Sequence, residues 1–302
     1  MTPSPVILSA AKNLNSRRGL AELNMIQYRM TESGRTERFF APDSAIWSVD
    51  REMALLLGGG RALLMQIAHP KVAAGVADHS GFLTDPLGRL VRTMETMWSI
   101  VFDDRPRAEA SLDRLEGVHR QVQGTVRQPD VAPPGTRYRA QDPELLLWVH
   151  ATLVDSALAT YRRFVKPLPG DVERRYYEET KRLGILLGVP ETKLPGTLAE
   201  FGDYMDAMIE SDEIVVGATA RALSEAILRP RHWFLRTFAP LFVLITAGLL
   251  PPKLRRAYGL AWNGRREKTL RLVAGSTRAA LPWVPSIIRV VPHARAAEAR
   301  GS

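Results

Sequence analysis

Cysteine is absent from all 302 residues. Disulfides, thiolate metal sites and thiol nucleophiles are excluded with it. Aromatic residues make up only 7% of the chain and do not alternate with its basic residues. A base-stacking platform is therefore missing, and nucleic acid is not an expected partner. Spanning apolar runs are missing too. Phe238 to Leu250 is 13 residues long and is broken by Pro240 and Gly248, whereas a membrane span needs about 20. A buried core helix is expected there, with an interfacial helix as the alternative. No Gly-x-Ser-x-Gly, His-Glu-x-x-His or EF-hand pattern occurs, so hydrolase, zinc-protease and calcium readings have no support. The start of the chain lacks the order of a secretory signal. Val6, Ile7 and Leu8 form a short apolar run, and Lys12, Arg17 and Arg18 follow it rather than precede it. Residues 1–42 are polar and aperiodic and are expected as a poorly ordered tail on a cytoplasmic protein.

What is present is apolar content, 45% of the chain, enough for one large core. The net charge of +9 is unevenly spread. From Arg229 onward there are 14 Lys or Arg and two acids, Glu267 and Glu298, so that quarter carries +12 and the remainder −3. A basic tail over residues 276–302 is expected. It is either a solvated Arg-rich surface or a peripheral contact with an anionic membrane.

Apolar residues recur at helical spacing almost throughout, and no strand alternation or βαβ pattern is found. Helices are expected over 44–57, 61–76, 85–102, 106–126, 143–165, 171–187, 198–209, 210–228, 232–249 and 252–260. Gly58-Gly59-Gly60 reads as a turn between helices, since it lacks the strand and the Lys-Ser/Thr of a phosphate loop. Pro70 marks a kink or boundary. Residues 129–138 form a long loop. The expected fold class is all-α, one multi-helix domain over residues 43–275.

Four histidines lie on or between these helices. Leu112, Leu115, His119 and Val122 share one helical stripe, which points His119 towards the core. A core imidazole is either hydrogen-bonded to a backbone carbonyl or bound to a cofactor such as haem iron. Glu116 and His119 match one Glu-x-x-His half of a di-iron site, but the second half is missing. His150 and Asp155 sit on the apolar helix 143–165, where buried polar groups need partners. His69 and His79 flank a helix junction, with capping or packing roles. On helix 85–102, Leu87, Leu90, Val91, Met94, Trp98 and Val101 form one face. Arg89, Arg92, Thr93 and Thr96 form the other, either solvated or lining a pocket.

Several ordered motifs together resemble a known family. They are Gly-Arg-Ala-Leu-Leu-Met-Gln-Ile-Ala-His-Pro (60–70), Val-Ala-Ala-Gly-Val-Ala-Asp-His-Ser (72–80) and Asp-Pro-Leu-Gly-Arg-Leu-Val-Arg-Thr (85–93). His119-x-x-x-x-Gly124, Asp-Pro-Glu-Leu-Leu-Leu-Trp-Val-His-Ala-Thr (142–152) and Leu-Leu-Pro-Pro-Lys-Leu-Arg-Arg-Ala-Tyr-Gly-Leu (249–260) follow. The stretch from about 44 to 265 is similar to the MpaB-type and latex-clearing-protein (rubber oxygenase) catalytic domains. The resemblance implies a globin-related helical fold with one haem b and dioxygen chemistry on an isoprenoid chain. It implies His119 as the iron ligand, Arg89, Arg92 and Thr93 as catalytic residues across the haem, and His150 among the cofactor-binding residues. Two positions depart from the pattern. Arg92 stands where the family motif has a lysine, and a guanidinium stays charged and cannot ligate iron. Near Ala73 and Ala74, where the rubber enzymes carry a glutamate, the nearest acid is Asp78. The expected function is a haem-dependent oxygenase of an apolar prenyl or lipid substrate. A non-catalytic haem or dioxygen binder, or a lipid-binding helical protein, is the alternative.

Overall fold

The computed structural model describes residues 37–79, 86–128, 131–229 and 237–301. The expected tail up to residue 36 and the helix start around 232 lie outside them. In chain order the helices are α1 (Ala45–Asp50), α2 (Gly59–Ile67), α3 (Pro70–His79), α4 (Pro86–Phe102) and α5 (Arg105–Gln121). After two short strands come α6 (Pro143–Phe164), α7 (Gly170–Leu186), α8 (Leu198–Glu210), α9 (Ala218–Leu228) and α10 (Ala239–Leu249). The chain closes with α11 (Pro252–Ala257), α12 (Gly264–Ala280), α13 (Ser286–Arg289) and α14 (Pro292–Gly301). The fold is all-α. None of the described helices is long and apolar enough to cross a membrane.

Local chemistry sets most boundaries. Ser44 caps α1 by accepting from the Trp47 N–H, Asp104 caps α5 through Arg107, and Asp142 caps α6 through Glu144. Pro70 opens α3 after α2 ends at Ile67, because a prolyl residue suits the first helical turn and not its interior. Several expectations are corrected. The helix expected over 44–57 stops at Asp50, where Glu52 bridges to Val290, and a 3-10 turn runs from Met53 to Gly58. Residues 123–125 are not helix. They form β1 (Gln123–Thr125), antiparallel to β2 (Arg137–Arg139), so the loop between them closes a small hairpin. The tripeptide Gly58-Gly59-Gly60 has no positive φ and is not a free turn. A Cβ on Gly58 would lie 2.1 Å from Thr160 Oγ1, and one on Gly60 2.2 Å from Thr246 Oγ1. The glycines let the start of α2 press directly on α6 and α10.

Both ends of the described chain are more firmly packed than expected. Phe39 and Phe40 belong to the main core although they fall in the stretch expected as tail. Residues 276–302, expected as a basic tail, are built into the fold up to 301. Val290, Val291, Ala294 and Ala297 are buried in the same core. Their three- and four-residue spacing is an apolar stripe that the surrounding arginines mask in composition. Glu298 of α14 accepts from Trp47 Nε1 at 3.1 Å and from Arg51 at 3.0 Å, and Arg289 holds Glu52.

α10 takes up the apolar run at 238–250. Ile245, Thr246, Ala247 and Leu250 are buried, while Phe238 and Leu241 at its start are exposed. The centre of the fold is a junction of α2, α6 and the end of α10 at the buried side chain of Arg61. Its Nε donates to the Leu249 carbonyl (2.8 Å), Nη1 to Ser156 Oγ (2.8 Å) and Nη2 to Asp155. Asp155 therefore pairs with Arg61 and not with His150. Replacing Arg61 with Met leaves the Asp155 carboxylate, a hydroxyl and a carbonyl without their donor. Asp155 keeps some access to solvent, so a loss of about 3 kcal/mol is expected, at the lower end for a broken buried pair. Urea unfolding of Arg61→Met against the parent protein measures it.

Candidate functional site

Of the expected site residues, Arg89, Arg92, Thr93 and His119 sit on the α4–α5 hairpin, and His150 sits apart on α6. The closed end of the hairpin is locked into the core. Phe102 meets Trp47 edge-on at 4.9 Å, and Ile100, Val101, Ala108 and Leu112 are buried. Asp103 at the turn is buried and receives His293 Nδ1 of α14 at 3.0 Å. Ser111 Oγ donates to Ser99 Oγ at 2.9 Å, which makes these two residues opposite each other across the hairpin. Arg114 donates to Ser111 at 2.7 Å and braces the crossing.

The open end differs. From Val91 to Trp98 on α4 and from Asp113 to Gln121 on α5, no residue is fully buried. Both helices rise about 1.5 Å per residue. Continued eight residues outward from the Ser99–Ser111 crossing, the antiparallel register puts His119 level with Val91 and Arg92. The hairpin thus brings His119, Arg92 and Thr93 to one end of one helix pair. His119 lies in the last turn of α5 and is half-buried, not wholly in the core as its stripe implies. Arg92 and Thr93 are exposed. Arg89 is one turn earlier on α4, and its side chain lies outside the described residues. Val91 is 53% and Val118 57% exposed, so the apolar stripe of the hairpin runs on past the core into the surface.

The neighbouring histidines are structural. His69 Nδ1 accepts from the Lys71 N–H at 3.2 Å and caps the α2–α3 junction. His79 Nε2 bonds the Gln123 carbonyl at 2.9 Å and ties α3 to β1. Asp78 accepts from the Tyr138 hydroxyl at 2.8 Å. Gly124 makes that possible, since a Cβ there would lie 2.5 Å from the same oxygen. Ala73 is buried on α3 and Ala74 is half-buried, so no carboxylate stands there. Among the described residues, no three His, Asp or Glu side chains converge as a set of metal ligands.

His150 is buried on α6, and the neighbours that define its ring environment are on α7. Gly184 leaves room for it, because a Cβ there would lie 2.9 Å from Nε2. Nδ1 has no hydrogen-bond partner, so the expected pairing of this polar group is met only through the Thr180 backbone. Burial pushes its pKa from the ordinary 6.5 down to about 4, only partly offset by the Thr180 backbone. His69 is lowered to about 4 as well, by burial and then by the Lys71 charge.

Arg61 is the residue that sequence reasoning missed. Its one signal is a guanidinium placed ahead of the apolar run Ala62 to Met65. With Asp155 it lines a half-open cleft of about 490 Å³, closed by Asp206, Glu210, Lys253 and Arg256. None of the expected site residues lines this cleft.

The chain belongs to the family described as ER-bound oxygenase mpaB/B'/Rubber oxygenase, catalytic domain, whose pattern matches residues 47–279. It is 27% identical over 244 residues to the uncharacterized proteins Mb2261 of Mycobacterium bovis and Rv2237 of Mycobacterium tuberculosis. Each match covers 76% of this chain and 88% of the relative. No solved structure matches the chain.

The buried histidines give the fold an acid-side weakness. An imidazole held near 4 when folded and near 6.5 when unfolded takes its proton first in the unfolded chain. Its share of stability is whole above about pH 6.5 and is lost as pH falls towards 4. For His150 this amounts to up to about 3 kcal/mol. Stability measured by urea unfolding is expected to fall across this window, and His150→Gln is expected to flatten the fall. An unchanged pH slope in that variant would show that His150 does not carry the effect.

Proposed function

We propose that this oxygenase-family chain is haem-dependent and acts on an apolar substrate. The observation that carries the reading is the donor set on the α4–α5 hairpin. His119 is a half-buried imidazole, level with the exposed Arg92 and next to the exposed apolar Val91 and Val118. Among the described residues no group of three His, Asp or Glu gathers here, too few ligands for a bare ion. His119 would suit haem, whose iron brings ring nitrogens with it and would take a histidine from the protein. The exposed valines suit a flat apolar ring or chain, and the exposed guanidiniums of Arg92 and Arg120 suit anionic carboxylate groups.

In this reading His119 offers a ring nitrogen to the iron. Haem, when bound, supplies the dioxygen chemistry that amino-acid side chains lack. Arg92 and Thr93 donate hydrogen bonds from guanidinium N–H and hydroxyl O–H, with Arg89 one turn earlier on the same helix. These donors stabilise negative charge that develops on oxygen. A guanidinium keeps its proton, so Arg92 acts by charge and hydrogen bonding and does not serve as a base or as an iron ligand. Asp78 is engaged by Tyr138, and Ala73 and Ala74 supply no carboxylate. General-base removal of a substrate proton at that position has no residue to perform it. The substrate that fits is an apolar prenyl or lipid chain other than rubber.

Hemin titration of the purified protein, followed by absorption, tests the reading. A Soret band is expected in the parent protein, with hemin affinity lowered roughly tenfold or more in His119→Ala, as for loss of the axial ligand. Equal hemin binding by the variant, or no uptake by the parent, would remove the proposal. Oxygen consumption by the loaded protein with polyprenyl and lipid substrates separates an oxygenase from a non-catalytic haem binder.

A further inference from the structure

Apart from Phe238, the most exposed large apolar side chains outside the hairpin fall in one stretch near the C-terminus. Trp283 is 86% exposed, Leu272 72%, Ile287 68% and Ile288 63%. Leu272 lies on α12, Trp283 ends the 3-10 turn Leu281–Trp283, and the two isoleucines are on α13. The inner face of α12 is occupied, since Leu270 and Ala274 are buried. Leu272 and Ala279 follow at a seven-residue step on the outer face of α12, and Trp283 is exposed in the turn beyond it.

This segment is not a loose tail. Arg278 donates to the carbonyls of Arg162 and Arg163, both at 2.9 Å. Arg163 is bonded to Glu267 at 2.9 Å. On the far side, Arg289 is bonded to Glu52, and Val290 and Val291 are buried. Pro282 and Pro285 bracket Trp283 and restrict the backbone on either side of it. Both ends are pinned and the middle is stiff, so the apolar side chains are held out into water.

Charge identifies what covers them. Residues 264–302 carry eight Lys or Arg and two acids. Both acids are already engaged, Glu267 by Arg163 and Glu298 by Trp47 and Arg51. Arg265, Lys268 and Arg271 are exposed at steps of three on α12, adjoining Leu272. A second copy of the chain would bring two like-charged faces together. A nucleic acid would meet aliphatic side chains where stacking is needed. A bilayer with anionic headgroups satisfies both components, with tryptophan at the headgroup boundary, aliphatic side chains below it and cations against phosphate.

We propose that Leu272, Trp283, Ile287 and Ile288, with the flanking Arg265, Lys268 and Arg271, dock the protein on the surface of an anionic membrane. Docking needs no bound cofactor and is independent of the haem reading. It would place an enzyme of apolar chains where such chains are dissolved.

Cosedimentation of the full chain with vesicles tests it. The parent protein is expected to pellet with phosphatidylcholine–phosphatidylserine vesicles far more than with phosphatidylcholine alone. Raised salt is expected to weaken this binding. The double variant Trp283→Ala/Ile287→Ser is expected to partition about tenfold less into the mixed vesicles. Lys268→Glu/Arg271→Glu is expected to lose the preference for phosphatidylserine. Unchanged circular dichroism and melting in both variants confirm that they fold. The proposal is overturned if the parent stays in solution with both vesicle types, or if the folded variants bind as the parent does. It is equally overturned if light scattering finds a dimer that Trp283→Ala dissolves while no form binds vesicles.

Discussion

A buried guanidinium governs the arrangement of the central helices. Arg61 has three donors and three acceptors waiting for them, on Asp155, Ser156 and Leu249. A charge so nearly buried is tolerated only with its partners in place, so α2, α6 and the end of α10 keep one mutual register. Gly58 and Gly60 serve the same junction by letting backbone and threonine side chains approach where a Cβ would collide. Tyr258 adds a hydroxyl bond to the Leu64 carbonyl at 2.7 Å, drawing the residue after α11 onto α2. Around this polar centre the apolar residues close into one main core that runs from Phe39 to Ala297.

The closed end of the α4–α5 hairpin is buried in that core. Phe102, Asp103 and the Ser99–Ser111 crossing hold the closed end, while the open end carries half-buried and exposed residues. The proposed membrane contact is built on the same plan. Its apolar side chains are exposed because the residues before and after them are pinned, by Arg278 to α6 and by Arg289 to Glu52.

Much of the helical order was legible in the chain. Prolines at 70, 143 and 252, and the capping Ser44, Asp104 and Asp142, carry their meaning within one turn of the residue itself. The short strands were not legible, because three residues offer too little alternation to read. The packed C-terminal helices were hidden by charge, since an arginine-rich segment with alanines reads as solvated unless its valines are given a core to meet. His150 was read as a buried group in need of a partner, and its burial is as read, but its Nδ1 has none.

The sequence by itself determined that this is an all-α protein, where helices such as α4, α6, α7 and α8 begin and end, and that His119, Arg92 and Thr93 belong to neighbouring helices of an oxygenase-type chain. Tertiary structure decided that Arg61 meets Asp155 across 94 positions, that His119 comes level with Arg92, and that the basic end is folded. The physical reason is one of range. Helical periodicity states which face of a helix must be covered, and it is written into residues three and four apart. Which other helix covers that face depends on packing and on where each buried charge finds its partner, and those are properties of the assembled chain.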